Sequence, residues 1–316
     1  MTLSIDVVIP TFDGWELTER CLECLRAQTV THSVIVADNA STDGTPEKLR
    51  TSFPEVYLVE TGGNLGFAVA CNRGVAAGTA DVAVLLNNDV EPRPDFLERL
   101  TDPLGTDPRV GSVAALLVRP GESVIDSIGL TSDPTLSGFP RLTGRPVAEA
   151  AAQRPVLAGP SGGAAAYRRS AWDEAGGLDE GVFIYGEDLD LALRLRSAGW
   201  HAAAAPEAVG VHLGSATLGH RSAWQRYQGG FSRGYFLRRY GVLLHRRAGA
   251  RALATEAVVV VGDAVISRDL KALQGRLAGW RAGGAFERWP FPSNEAIDHT
   301  IGFFESLRLR RDIYAS

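Results

Sequence analysis

The chain has 316 residues, 45% of them hydrophobic and 22% charged, and 32 Lys and Arg against 37 Asp and Glu leave a net charge of −5. This is the composition of an ordinary globular chain, and it argues against a nucleic-acid partner, which would need basic excess to neutralise phosphates. Three cysteines, Cys21, Cys24 and Cys71, are too few for a disulfide framework or a four-thiolate zinc site. Residues 1–6 carry no basic-then-apolar signal, so a cytoplasmic location is expected. The apolar run at 252–266 is broken by Glu256 and Asp263 and is shorter than the ~20 residues of a membrane span.

In chain order, short β-branched runs at 6–10, 33–38, 56–60 and 81–87 predict strands, and the stretches 15–27, 46–51 and 66–77 between them predict helices. Alternation of this kind implies an α/β fold with a mostly parallel sheet. Ligands of such sheets bind beyond the carboxyl ends of the strands. Here those ends carry Thr11-Phe12-Asp13, Asp38-Asn39-Ala40-Ser41, Gly62-Gly63-Asn64 and Asn87-Asn88-Asp89. Residues 119–155, rich in Gly, Pro, Ser and Thr, are expected as a long irregular loop over the site. Order resumes at 156–168, a helix is expected at 170–175, and another starts near Glu187 with Leu189, Ala192, Leu193 and Leu195 as its buried stripe. From Gly219 onward the pattern is helical.

Two nucleotide-binding signatures are missing. No glycine fingerprint follows the first strand, where Pro10-Thr11-Phe12-Asp13-Gly14 stands, and neither Lys48 nor Lys271 sits in a P-loop. Nucleotide binding would have to use carboxylates and a metal, which points to Asp38 and Asp89. Cys21 and Cys24 lie mid-helix, away from the helix start that activates thiols, and read as structural. Glu187, Asp188 and Asp190 put three carboxylates within four residues. Acids suit the first turn of a helix, but the preceding Tyr185-Gly186 pair is not explained by that.

Five motifs occur in order: Val7-Val8-Ile9-Pro10-Thr11, then Val36-Ala37-Asp38-Asn39-Ala40-Ser41-Thr42-Asp43-Gly44-Thr45, then Gly63-Asn64-Leu65-Gly66-Phe67-Ala68 with Asn72 and Gly74, then Leu85-Leu86-Asn87-Asn88-Asp89, and Gly186-Glu187-Asp188. Together they resemble a family 2 glycosyltransferase over residues 4–240. The pattern is most similar to the rhamnosyltransferase-like branch, through Ile125-Asp126-Ser127-Ile128-Gly129 and Tyr185-Gly186-Glu187-Asp188.

The resemblance implies a GT-A fold, a nucleotide-diphosphate sugar donor, a divalent metal (Mn2+ or Mg2+) and inversion at the anomeric carbon. Asp188 matches the family's base, with Glu187 beside it. A neighbouring carboxylate is expected to raise the base's pKa. Asp89 would hold the metal, since Asn87-Asn88-Asp89 keeps one carboxylate of the family's Asp-x-Asp motif. Asn88 would contact ribose or the metal, and His212 would be a second ligand. Mixed oxygen and nitrogen ligation favours manganese somewhat. Asp38 matches the nucleobase contact, with Thr11 and Asp13 near the same base or ribose; uracil or thymine would suit a carboxylate. Asn64 and Asn72 match positions near the donor. Gly163, within Gly159-Pro160-Ser161-Gly162-Gly163-Ala164, falls where the family packs small residues against the donor sugar, a tight turn being the rival reading.

Arg221, Arg226, Arg233, Arg238, Arg239, Arg246, Arg247 and Arg251 follow one another without an acid between 208 and 255. Arg233 matches a diphosphate contact. For the others, an anionic membrane surface beside a lipid-linked acceptor and a solvated helix face compete. The expected organisation is a catalytic domain at 1–240, with a donor half at 1–118 and an acceptor and catalytic half at 119–240, followed by a helical extension at 241–316. The expected activity is transfer from a UDP- or dTDP-sugar, dTDP-rhamnose among them, to a glycan, lipid-linked or small-molecule acceptor. Localisation is cytoplasmic, with peripheral contact at the inner membrane face as a further expectation. A catalytically silent sugar-nucleotide binder or scaffold and a GT-A-like nucleotidyltransferase are the rivals.

Overall fold

A computed structural model of the chain describes residues 3–214 and 222–315. The first elements are β1 (Ile5–Thr11), α1 (Trp15–Arg26), β2 (Ser33–Asp38), α2 (Thr45–Ser52), β3 (Tyr57–Glu60), α3 (Phe67–Ala77) and β4 (Val82–Leu86). β1 lies parallel between β2 and β4, and β3 joins the outer side of β2 in parallel. Every residue of β1 and β4 is buried. Strands covered by helices on both faces read as continuous apolar runs, which is why they are visible in the sequence. Asp6 interrupts β1, and its carboxylate is satisfied by Ala80 N at 2.8 Å and Arg169 at 3.3 Å.

The chain continues through β5 (Val90–Pro92), α4 (Phe96–Thr106), β6 (Val110–Val118), β7 (Ile125–Ser127), β8 (Leu130–Ser132), β9 (Gly138–Pro140), β10 (Ala164–Arg168), α5 (Arg169–Ala175), α6 (Glu187–Ser197) and β11 (His201–His212). The main sheet runs β3-β2-β1-β4-β10-β6-β11-β5, with β7 beside β6. β10 is antiparallel to both β4 and β6. Its first residues therefore lie at the carboxyl ends of the parallel strands, which delivers Gly162 and Gly163 to the same rim as Thr11, Asp38 and Asp89.

Residues 119–155 differ from the irregular loop expected of them. They contain β7 and the β8–β9 hairpin, and Ile125, Ile128, Leu142 and Ala150 pack with Leu116 and Val118 in a buried cluster. Their apolar residues are spaced by turns and not by a helix or strand period, so periodicity does not register them.

The C-terminal part is α7 (Ala223–Arg239), α8 (Arg246–Ser267), α9 (Lys271–Gly283) and α10 (Phe303–Ala315). α7 and α9 touch backbone to backbone: a Cβ at Gly234 would run into the Arg276 carbonyl, and one at Gly279 into that of Phe231. Only glycine permits such an approach. One apolar cluster joins Leu130, Leu189 and Leu193 to Tyr235, Phe236, Ala252 and Ile297, so the core runs on past residue 240.

These helices are fastened by a buried ionic knot. Glu256 of α8 meets Arg233 of α7 at 2.7 Å, Arg276 of α9 at 2.8 Å and Arg310 of α10 at 2.9 Å. Burial pushes the Glu256 carboxyl up, but the three guanidiniums outweigh it and hold it far below the usual range. A carboxylate depressed in the folded state stabilises the fold above its unfolded pKa, and that stability fades as pH falls toward the folded value. Glu256→Ala, which leaves three buried cations without their carboxylate, is expected to cost about 3–5 kcal/mol in urea unfolding at neutral pH. The difference from wild type should shrink below about pH 4.3.

Candidate active site

The rim is assembled from strand ends and the loops that brace them. Thr11 is buried at the end of β1, and the Asn88 amide donates to its hydroxyl at 3.3 Å and to Thr18 at 3.0 Å. Asp13, in a left-handed conformation with φ 56°, accepts from Thr42 N at 2.7 Å, and its own N–H donates to Ser41 at 2.8 Å. Asp38 ends β2 almost fully buried; one carboxylate oxygen accepts from Ser41 N at 3.0 Å and the other has no partner. A buried acceptor left open faces a desolvation cost that a ligand N–H would relieve.

Asp89 is buried and its Oδ1 is likewise without a partner. Its Oδ2 lies 3.4 Å from His212 Nε2, at the end of β11. His212 Nδ1 is held in turn by Asp126 Oδ2 at 2.8 Å. Burial alone would lower the His212 pKa, but the hydrogen bonds to Asp126 and Asp89 outweigh it and raise the ring to about 10. Between two carboxylates a cation is favoured. The same arrangement fits a divalent ion: an open carboxylate oxygen, and an imidazole oriented by a carboxylate behind it. No group of three or more His, Cys, Asp and Glu suited to a metal occurs among the described residues. Asp89 and His212 would hold an ion only together with oxygens of a ligand and water.

The third part of the rim is the start of α6. Gly186 supplies the left-handed entry, φ 85°, and Tyr185 before it also has positive φ, 75°. The three acids of the first turn have three different surroundings. Asp190 is paired with Arg194 at 2.7 Å and accepts from the Tyr240 hydroxyl at 2.8 Å. Asp188 accepts from Gly162 N at 2.9 Å and Leu189 N at 2.7 Å. Glu187 is buried with Oε2 unpartnered. Burial pushes Glu187 up, and the charge of Asp188 pushes it further. Asp188 is raised by burial, against the backbone donors of Gly162, Leu189 and its own N–H that hold it down. Two buried carboxylates side by side disfavour each other's charge reciprocally.

The rim is continuous, because Asn87 N donates to Gly163 O at 2.9 Å and Gly162 N to Asp188. Gly163 is packed against Leu117, which leaves no room for a side chain. Asn64 is exposed and caps Gly66 N at 3.4 Å. Asn72 is used structurally: its amide donates to Leu178 O and Glu180 at 2.9 Å each and accepts from Leu178 N, tying α3 to the loop before Tyr185.

Arg233 stands apart from the rim expected for it. Its guanidinium binds Glu256, Leu136 O at 3.0 Å and Thr135 at 3.1 Å, because α7 turns this face toward the C-terminal helices. Arg239 is buried against Asp179, and Arg226 pairs with Asp269, so neither belongs to a solvated or membrane-facing row. Arg246 and Arg247 are exposed, and Arg221 lies outside the described residues. Asp126 and Thr18 were given no role by the sequence. Asp126 stood within a recognised motif, but its partner is 86 residues away, beyond any periodic signal.

A curled, mostly parallel sheet thus brings carboxylates and an imidazole to one rim, the layout of a GT-A fold. The pattern of Glycosyl transferase family 2 matches residues 6–176, and that of Glycosyl transferase family group 2 matches 147–277. The chain belongs to glycosyltransferase family 2. It is 34% identical over 236 residues to an N-acetylglucosaminyl-diphospho-decaprenol L-rhamnosyltransferase of Mycobacterium tuberculosis, covering 67% of this chain and 76% of the relative. Among solved structures it is similar to a mannosyltransferase from Pyrobaculum calidifontis in complex with GDP-Man and Mn2+, with TM-score 0.52 and 18% identity over 90% of this chain and 87% of the other. It is also similar to GalNAc-T7 with UDP, GalNAc and Mn2+, with TM-score 0.61 and 15% identity over 90% and 56% of the two chains. These two share the GT-A fold with it.

With a nucleoside diphosphate present, calorimetric Mn2+ binding is expected to vanish in Asp89→Ala and to weaken about 10–100-fold in Asp126→Asn, the usual effect of losing a ligand's supporting partner. Normal binding in Asp89→Ala places the ion elsewhere.

Proposed function

We propose that this glycosyltransferase moves a sugar, with inversion, from a UDP- or dTDP-sugar to a hydroxyl of a lipid-linked acceptor at the cytoplasmic membrane face, with Mn2+ or Mg2+. The observation that carries the reading is Asp188, a carboxylate on the donor rim with both oxygens aimed by backbone N–H groups and its neighbour Glu187 set to hold a proton. dTDP-rhamnose is the donor suggested by the Mycobacterium tuberculosis relative, whose name places rhamnose on N-acetylglucosaminyl-diphospho-decaprenol.

Asp188 takes the proton of the attacking hydroxyl, which a single displacement needs as the new bond forms. The open oxygen of Asp38 accepts the ring N–H of a pyrimidine, while Thr11 and Asn88 lie toward the ribose and Asp13 keeps the Ser41-Thr42 loop against β1. Asn64 and Gly163 shape the donor side through backbone position. Asp89 and His212 are the ligands of the divalent ion, which when bound neutralises charge on the departing diphosphate. Asp188→Asn is expected to lower turnover at least about a hundredfold with little change in donor affinity. Glu187→Gln, which copies the protonated neighbour, should keep turnover and leave the acid limb of the pH profile in place. A profile in which Glu187→Gln is as damaging as Asp188→Asn would reassign the base.

The lipid-linked acceptor is supported by α8. Val261, Val265 and Ile266 form an exposed aliphatic ridge, the last two 72% and 78% exposed, and Arg246 and Arg247 stand exposed at the helix start. Glu256 and Asp263 of the same helix are turned inward against arginines. An apolar ridge with basic flanks suits an anionic bilayer surface. Val265→Asp should abolish sedimentation with anionic vesicles. Replacing Arg246 and Arg247 by alanine should weaken it by about 1 kcal/mol per arginine, with rising salt reducing the wild-type binding.

A further inference from the structure

The ionic knot that fastens the C-terminal helices does not balance. Arg194, Arg233, Arg251, Arg276 and Arg310 are each no more than 20% exposed. Their contacting carboxylates are Asp190, Glu256 and Asp133, and Asp263 is near enough to Arg276 for the two charges to interact, so five cations face four anions. The remaining guanidinium donors are met by neutral groups: Leu136 O, Thr135 and Ser137 hydroxyls, Ala272 O and Ile301 O. Neutral acceptors satisfy hydrogen bonds but leave the charge standing. If these arginines only fastened helices, three guanidiniums sharing the one carboxylate of Glu256 would leave a buried positive excess as an unrelieved cost.

The excess borders a cavity of about 170 Å³. Arg233, Arg276 and Arg310 line it, together with Tyr185, Gly186 and Asp190. Tyr185 and Gly186 lead directly into Glu187 and Asp188. Arg276 uses Nε on Glu256 and Nη1 on Ala272 O at 3.2 Å, while no described residue accepts from its Nη2. Gly229 of α7 also lines the cavity, with nothing within 4 Å of where its Cβ would be. Three arginines on an otherwise largely apolar lining, a guanidinium donor open to the cavity and a position just ahead of Asp188 describe a receptacle for an anionic group that accompanies the acceptor, with Asp190, the lining carboxylate, already neutralised by Arg194.

We propose that this cavity binds a phosphate or diphosphate group of the acceptor, and so holds the acceptor hydroxyl against Asp188 by its charged end. The open Nη2 of Arg276 is suited to this, since a cationic N–H forms a short, charge-assisted hydrogen bond to a phosphate oxygen. The proposal rests on the reading of the protein as a transferase with a lipid-linked acceptor, and it narrows that acceptor to one carrying phosphate close to the accepting sugar. It also gives the arginines of α7, α9 and α10 a function on the acceptor side, distinct from the donor diphosphate at Asp89.

The test uses the full chain and inorganic pyrophosphate in EDTA, followed by calorimetry. Wild type should bind it, and an added nucleoside diphosphate should not displace it. Arg276→Gln should weaken binding at least tenfold, and Arg276→Lys should restore most of it. Gly229→Asp, which adds a negative charge in open space without disturbing the knot, should abolish binding while the unfolding midpoint stays near wild type. In transfer assays, both charge-altering variants should raise KM at least tenfold for an acceptor bearing diphosphate and leave KM unchanged for the same sugar without it. Absence of pyrophosphate binding by wild type, displacement by the nucleoside diphosphate, or an equal KM change for the two acceptors would each overturn the proposal. The last result would mean a site for free phosphate only. If no sugar is transferred to any acceptor yet pyrophosphate binding follows this pattern, the anion site stands and the proposed activity falls.

Discussion

A carboxylate removed from water must be met by a cation, by hydrogen-bond donors or by a proton, and the first turn of α6 contains one case of each. Asp190 is met by Arg194 and Tyr240 and anchors the helix. Asp188 is met by the backbone N–H groups of Gly162 and Leu189, which orient it without cancelling its charge. Glu187 has one oxygen with no partner, and burial together with the charge of Asp188 pushes it toward its neutral form. Three acids of one helical turn thus meet burial in three ways, and the proposed base is the one held by backbone donors.

That arrangement depends on one reversal in the sheet. β10 runs against its neighbours, so the loop before it, with Gly162 and Gly163, returns to the rim where β1, β2 and β4 end. Glycine at 162 brings the main chain to Asp188, and the carbonyl of 163 fixes Asn87 and hence the Asn88-Asp89 turn. The carboxylates at Asp89 and Asp188 are therefore joined through two backbone hydrogen bonds, and a shift at one is felt at the other. Asp38, Asn87, Asp89 and Glu187 each leave one buried oxygen on this rim without a partner. Groups of that kind are costly in a native structure unless something binds them.

Much of this was legible in the sequence, for physical reasons that also show its reach. β1, β2 and β4 appear because a strand buried on both faces is an unbroken apolar run, and the residue after each run is a rim residue by topology alone. The Gly186-Glu187-Asp188 turn appears because a left-handed entry and first-turn acids are local features. What escaped is non-local. Arg233 finds Glu256 23 residues on and shares it with Arg310 of α10, so no window over the arginine stretch shows that its charge is spent internally. Asp126 and His212 meet across the sheet. One missed feature did leave a local signal: Gly230 and Gly234 in α7, and Gly275 and Gly279 in α9, recur at four-residue spacing, the mark of two helices in backbone contact.

The division of protons between Glu187 and Asp188 is the claim on which the account turns, and carboxyl-carbon NMR of selectively labelled protein reads it directly. The account predicts that at pH 7 the Glu187 resonance lies at its protonated position and that of Asp188 at its ionised position, with Glu187 titrating at the higher pH of the two. Both resonances at their ionised positions at pH 7, or Asp188 titrating above Glu187, would contradict it.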